Sequence, residues 1–186
     1  MITDNATYTA QFAIDKHNVL VKSANDAMGN TLGSGEYDYN SVATITATAN
    51  YGYHFTAWSD GSTANPRRVA VVCDSVFTAN FAPNSYTITV SSINTSMGSV
   101  AGDGSYQYLS QATISATPTS GNYFSNWSDG NSDNPRTIIV TKDSNFTAVF
   151  TQIPTFAISL LANYNERGTT NGGGSYLQGT TDRKSV

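Results

Sequence analysis

The sequence predicts an all-β chain made of small repeated modules, on three observations. Hydrophobic residues fill 39% of the 186 positions and charged residues only 12%. That balance is too apolar for disorder and too poor in Ala, Leu, Glu and Lys for a helical protein. The aromatic residues are mostly Tyr and Phe, which suit half-buried pleated surfaces. Finally, the same words recur at a fixed offset. Trp58 and Trp127 stand 69 residues apart. That offset also pairs Gly29 with Gly98, Gly33 with Gly102, Gly35 with Gly104, Tyr37 with Tyr106, Phe55 with Phe124, and Phe81 with Phe150. It aligns Asn65-Pro66-Arg67 with Asn134-Pro135-Arg136. Such self-similarity marks a repeat architecture.

The repeat divides the chain. Residues 1–12 end in a segment matching 77–81 and 146–150, and read as the closing strand of a preceding unit. Residues 13–81 and 82–150 are two complete modules, and 151–186 hold the first half of a third. A period of 69 is long for a solenoid and close to the smallest length that buries its own core. The modules are therefore expected to fold as separate beads. Residues 82–85 and 151–155, each with a proline, read as linkers. Residues 182–186, DRKSV, depart from the strand expected there. They match one translated frame of a common short-read sequencing adapter, so the sequence reads as a fragment of an incomplete gene.

Within the second module the elements follow in order. Residues 86–90 alternate apolar and polar with period two, as a half-buried strand does. Residues 97–106 read as one short strand flanked by glycines. Ala112, Ile114 and Ala116 alternate with Thr113, Ser115 and Thr117, giving a strand with a small-residue inner face. Phe124 and Trp127, three apart, fit a single helical turn. Residues 137–141 are a β-branched run. Phe146, Ala148 and Phe150 close the unit, with residues 142–145 supplying hairpin-turn chemistry between the last two strands. Four to six strands per module and at most one turn of helix are expected.

The order of these words resembles the divergent internalin-B-type B-repeat, also called the bacterial repeat domain. The residues that carry the resemblance are Gly98, Gly102, Gly104, Tyr106, Ala116, Gly121, Phe124, Trp127, Asp129, Gly130, Pro135, Ala148 and Phe150, with their first-module partners. The resemblance implies tandem β-grasp-like modules on secreted or surface-anchored bacterial proteins, and no shared catalytic residue. An immunoglobulin-like sandwich is the alternative architecture.

Charge excludes some functions. The net charge is −4, and the nine Lys and Arg form no run, so the basic stripe that nucleic-acid binding needs is missing. No apolar stretch is long enough for a membrane-spanning helix. The two histidines form no triad with the acids, no clustered His and Cys suggest zinc, and no cofactor is expected. Asp129, Asn131 and Asp133 alternate like the first ligands of a calcium loop. The loop's sixth and twelfth positions, however, hold Asn134 and Val140. Cys73 aligns with Lys142 and is expected at an exposed strand end.

Four residues are candidates to face a ligand. Trp58 and Trp127 offer indole faces for sugar stacking, against the bland reading of two core anchors. Arg67 and Arg136 could hold a carboxylate, or instead pair with Asp60 and Asp129 or cover the Trp ring. The expected function is a non-enzymatic extracellular spacer or stalk with an adhesive role. A glycan- or protein-binding accessory module is the alternative. The expected partners are a host or cell-surface glycan or protein and the neighbouring repeats of the same chain.

Overall fold

A computed structural model describes residues 7–161 and 172–180. The chain divides into two compact units, Met1–Asn84 and Ser85–Val186. The adapter-like residues 182–186 lie outside the described residues.

Each complete module has seven strands, more than the four to six expected. In the first they are β1 (Lys16–Ser23), β2 (Gly29–Leu32), β3 (Gly35–Asp38), β4 (Val42–Ala49), β5 (Tyr53–Trp58), β6 (Arg67–Ala70) and β7 (Ser75–Pro83). In the second they are β8 (Ser85–Ser92), β9 (Gly98–Ala101), β10 (Gly104–Gln107), β11 (Gln111–Pro118), β12 (Asn122–Trp127), β13 (Arg136–Ile139) and β14 (Ser144–Gln152). One sheet runs β3-β1-β7-β5 and the other β2-β4-β6, and the second module repeats both orders. The first and last strands lie side by side and parallel at the centre of the larger sheet. No helix is present among the described residues, and a second sheet supplies the other half of the core. The parallel pair departs from the all-antiparallel immunoglobulin sandwich.

The core follows from the alternation read in sequence. Ala112, Ile114 and Ala116 of β11 meet Ile88, Phe146, Ala148 and Phe150 of the larger sheet around a fully buried Trp127. The first module repeats this with Ala43, Ile45, Ala47, Val19, Val21, Ala79 and Trp58. Small residues on β4 and β11 leave room for the indole, and each large side chain so buried contributes about 1.5–3 kcal/mol.

Several local expectations are corrected. Residues 97–106 form two strands, because Gly102 takes φ +103° and turns the chain between them. A Cβ at Gly102 would lie 2.8 Å from the Ile114 Cα, so the turn needs glycine for both conformation and space. Residues 142–145 do not close a hairpin. β13 pairs with β11 and β14 with β8 and β12, so this segment carries the chain from one sheet to the other. Ala82 and Pro83 belong to β7, leaving Asn84 between it and β8. Residues 7–15 form no strand, and Phe12 is 93% exposed.

The third copy contributes an antiparallel pair, β15 (Thr155–Ile158) and β16 (Gly174–Leu177). Phe156 faces Tyr176 as Tyr86 faces Tyr106.

Candidate functional site

The words Trp-Ser-Asp-Gly and Asn-Pro-Arg come together as a corner joining the two sheets. Its base is a bulge. The pairing of β12 with β14 shifts between Phe124 and Asn126, so one residue is skipped. A bulge breaks the period of two, and Phe124 and Trp127 therefore share a face despite being three apart. Their rings lie 5.1 Å apart at 56°. The helical turn expected there is corrected to this bulge, which recurs between Phe55 and Ala57.

After the strand the chain turns back on the tryptophan. The Gly130 amide donates to the Trp127 carbonyl at 2.8 Å, and the Trp127 amide donates to the Asn131 carbonyl at 2.8 Å. Gly130 and Gly61 adopt φ +85° and +86°, a region that glycine enters without a Cβ penalty. The indole Nε1 of Trp127 donates to the Asp133 carbonyl at 2.9 Å, and that of Trp58 to the Ala64 carbonyl at 2.8 Å. The buried donor is thereby satisfied by backbone.

Asparagine then finishes a ladder. β13 pairs only with the first half of β11. Beyond it the Asn134 side chain takes over: its Oδ1 accepts from the Ala116 amide at 2.9 Å and its Nδ2 donates to the Ala116 carbonyl at 2.6 Å. Asn65 does the same for Ala47 at 2.9 and 2.7 Å. The amide mimics one more strand residue. The next peptide bond, to Pro135 or Pro66, is cis.

Arginine closes the corner. Arg136 Nη1 lies 2.8 and 2.7 Å from the two carboxylate oxygens of Asp129, and its Cζ stands 4.9 Å from the centroid of the Phe146 ring. Arg67 repeats this with Asp60 at 2.8 and 2.6 Å and with Phe77 at 5.1 Å. The ring covered is a Phe, where the sequence suggested Trp. The hydrogen bond from the guanidinium is the main reason the Asp129 and Asp60 carboxyls sit below their ordinary value. Ser128 and Ser59 add a hydroxyl that accepts from the amides of Thr147 and Thr78.

The candidate residues therefore have partners within their own modules. Trp58 and Trp127 are 1% and 0% exposed, so the stacking-platform expectation is corrected: no indole face meets solvent. The alternating Asp129, Asn131 and Asp133 are engaged with one another and with the corner: Asn131 Nδ2 donates to Asp133 Oδ2 at 3.2 Å and the Asn131 amide to Asp129 Oδ1 at 3.3 Å. Asp129 faces Arg136, while Asn131 Oδ1 accepts from the Asp133 amide at 2.8 Å. Among the described residues no three His, Cys, Asp or Glu gather as metal ligands would. Cys73 is exposed, as its alignment suggested. At the 69-residue offset His17 takes the place of Tyr86, its ring 5.9 Å from Tyr39 as that of Tyr86 stands 6.2 Å from Tyr108.

Two structural roles escaped sequence reasoning. The Asn65 and Asn134 ladder mimics were hidden in a turn-like word. The other repeated acids, Asp74 and Asp143, accept from the amides of Asn18 and Thr87 at 2.8 and 2.7 Å, capping the parallel pair at its start. Their signal was recurrence in both copies. A shallow groove of about 330 Å³ lies beside that cap in the second module, lined by Thr87, Thr89, Asp143, Ser144 and Asn145.

A family model described as the divergent InlB B-repeat domain matches residues 19–85 and 86–154. No curated protein and no solved structure matches the chain.

Proposed function

We propose that this chain, which belongs to the divergent InlB B-repeat family, serves as a non-enzymatic spacer in a bacterial surface or secreted protein. Repeats of this family occur in such proteins, which supports an extracellular setting. One observation carries the reading. The Trp, Asp, Asn and Arg side chains of the shared corner words are each spent inside their own module, on core, ladder or ion pair. What both copies keep is architecture: core positions change only between similar apolar residues, as Val19 and Ile88 do, while polar-for-apolar changes such as Leu20 to Thr89 and Ala64 to Asp133 fall on exposed side chains. That is the pattern of a unit selected to fold repeatedly, with no common chemistry at its surface. The acidic balance, rich in Ser, Thr and Asn, keeps such an array soluble. Any adhesive contact falls to the outer sheet faces, because the indoles point inward.

An antibody raised against the chain tests this in the bacterium that carries the gene. Labelling of intact cells or of the culture medium is expected. Labelling that appears only after lysis would overturn the extracellular spacer.

A further inference from the structure

We infer that each module is a force-bearing unit in which the first and last strands form a shear clamp. Tension in a polypeptide enters a module only through the backbone before its first strand and after its last. In the first module those points are the start of β1 at Lys16 and the end of β7 at Pro83. In the second they are Ser85 of β8 and Gln152 of β14. The entry and exit strands are hydrogen-bonded neighbours and run parallel. Val19 through Ser23 register with Ser75 through Ala79, and Ile88 through Ser92 with Ser144 through Ala148.

That arrangement decides how a load is borne. With parallel neighbours, pulling the N-terminal end of one and the C-terminal end of the other slides the two past each other. All the evenly spaced bonds between them are loaded together. An antiparallel pair pulled from one end opens one rung at a time.

The pair is also reinforced at both limits. At its start Asp74 and Asp143 hold the Asn18 and Thr87 amides. Past its end the Ala24 and Ile93 amides donate to the Ala79 and Ala148 carbonyls at 2.9 and 3.1 Å. Neither strand is an edge. β1 is held on its other side by β3, Lys16 opposite Asp38, and β7 by β5, Pro83 opposite Tyr53. Sliding must therefore break two interfaces per strand while dragging Val19, Val21 and Ala79 out of the core around Trp58.

Single-molecule pulling on the whole chain tests the clamp, with Cys73→Ser so that handles attach only at introduced cysteines. Pulled from its ends, the chain should show two cooperative events, each releasing about 200–240 Å at about 3.5 Å per residue. In a second version, handles at Ser85→Cys and Gln107→Cys load the antiparallel β8–β10 pair from one end, since these residues are register partners. Both are exposed, so the core is untouched. Forced unfolding reads the barrier along the pulled direction, and the end-to-end force should be at least about two-fold the cross-pair force. Equal forces, or a lower end-to-end force, would overturn the clamp.

The biological sense of the clamp rests on the spacer reading, but the two fail separately. High end-to-end force with antibody labelling only in lysed cells would keep the clamp and remove the spacer. Low force with labelled intact cells would do the reverse.

Discussion

The two complete modules hold the same backbone arrangement with different side chains, and the places where they differ say what each position does. The indole of Trp58 bonds the carbonyl of Ala64 and that of Trp127 the carbonyl of Asp133. A carbonyl is present whatever the side chain, so an alanine in one copy and an acid in the other serve equally. The resemblance of the second loop to a calcium loop is a product of that freedom. The outer face of the central pair differs likewise. Leu20 stands opposite Val76 there, both about half exposed, where the second module has Thr89 opposite Asn145. By contrast, asparagine at 65 and 134, arginine at 67 and 136, and glycine at 33 and 102 do not vary, because each supplies something only that residue type can.

The half-copy sharpens the point. β15 and β16 keep their register, and the Tyr176 hydroxyl still donates to the Gly172 carbonyl at 2.6 Å, as Tyr106 does to Gly102 at 3.0 Å. Yet Ile158 is 41% exposed where its counterpart Ile88 is 1% exposed. The local pairing is written in the local sequence, while burial needs the opposing sheet.

Substitutions that break the equivalence of the modules should act on one and spare the other. The largest effect is expected from Trp127→Ala, at about 3–5 kcal/mol, a large share of what a module of this size holds. In denaturant unfolding the second module should melt early, while Trp58 fluorescence reports an unchanged first module. A shift in both would mean the modules do not fold independently. Gly102→Ala should cost about 2–4 kcal/mol, combining a left-handed φ with a Cβ driven against the Ile114 backbone. Asn134→Ala should cost about 1–3 kcal/mol by leaving the Ala116 amide and carbonyl unpaired. Hydrogen exchange at Ala116 should accelerate while that at Ala47 stays slow.

A fourth substitution should stabilise. Asn40, Leu109 and Gly179 occupy one slot of the repeat, with φ +59°, +64° and +84°. Asparagine and glycine tolerate that region, and leucine does not. Leu109→Asn should therefore raise the second module's stability by about 1 kcal/mol, and an unchanged or lower melting temperature would contradict this.

The smallest effect belongs to Asp129→Asn. The Asp129 carboxyl is about two-fifths exposed, so solvent screens its pairing with Arg136, which is expected to contribute at most about 1 kcal/mol. The folded value lies below the ordinary 3.8. Its contribution is thus complete above about that pH and fades as the pH falls through the lower folded value. Denaturation curves of parent and variant should differ at neutral pH and converge in acid. A difference that does not shrink as the pH falls through the acid range would show that the acid acts by something other than its charge.

Much of this was legible in the sequence. Alternation at Ala112, Ile114 and Ala116 located the inner face of β11, because side-chain direction in a strand follows position alone. The 69-residue offset separated shared architecture from variable surface, and turn residues marked where strands stop. Other features could not be read locally. The three-residue spacing of Phe124 and Trp127 fits a helical turn or a bulged strand equally well, and only pairing with β14 makes it a bulge. Residues 142–145 have hairpin chemistry, but the strands they join belong to different sheets, a matter of long-range partners. The amide of Asn134 acts on Ala116, 18 residues away, and no local pattern announces that. The sequence by itself thus determined the module, its repeat and the inward face of each strand, since these depend on residue type and spacing. Only the tertiary structure decided which strands are neighbours, that the first and last run parallel, and that the tryptophans point inward. Those outcomes depend on which apolar faces can be covered at once, a property of the assembled chain.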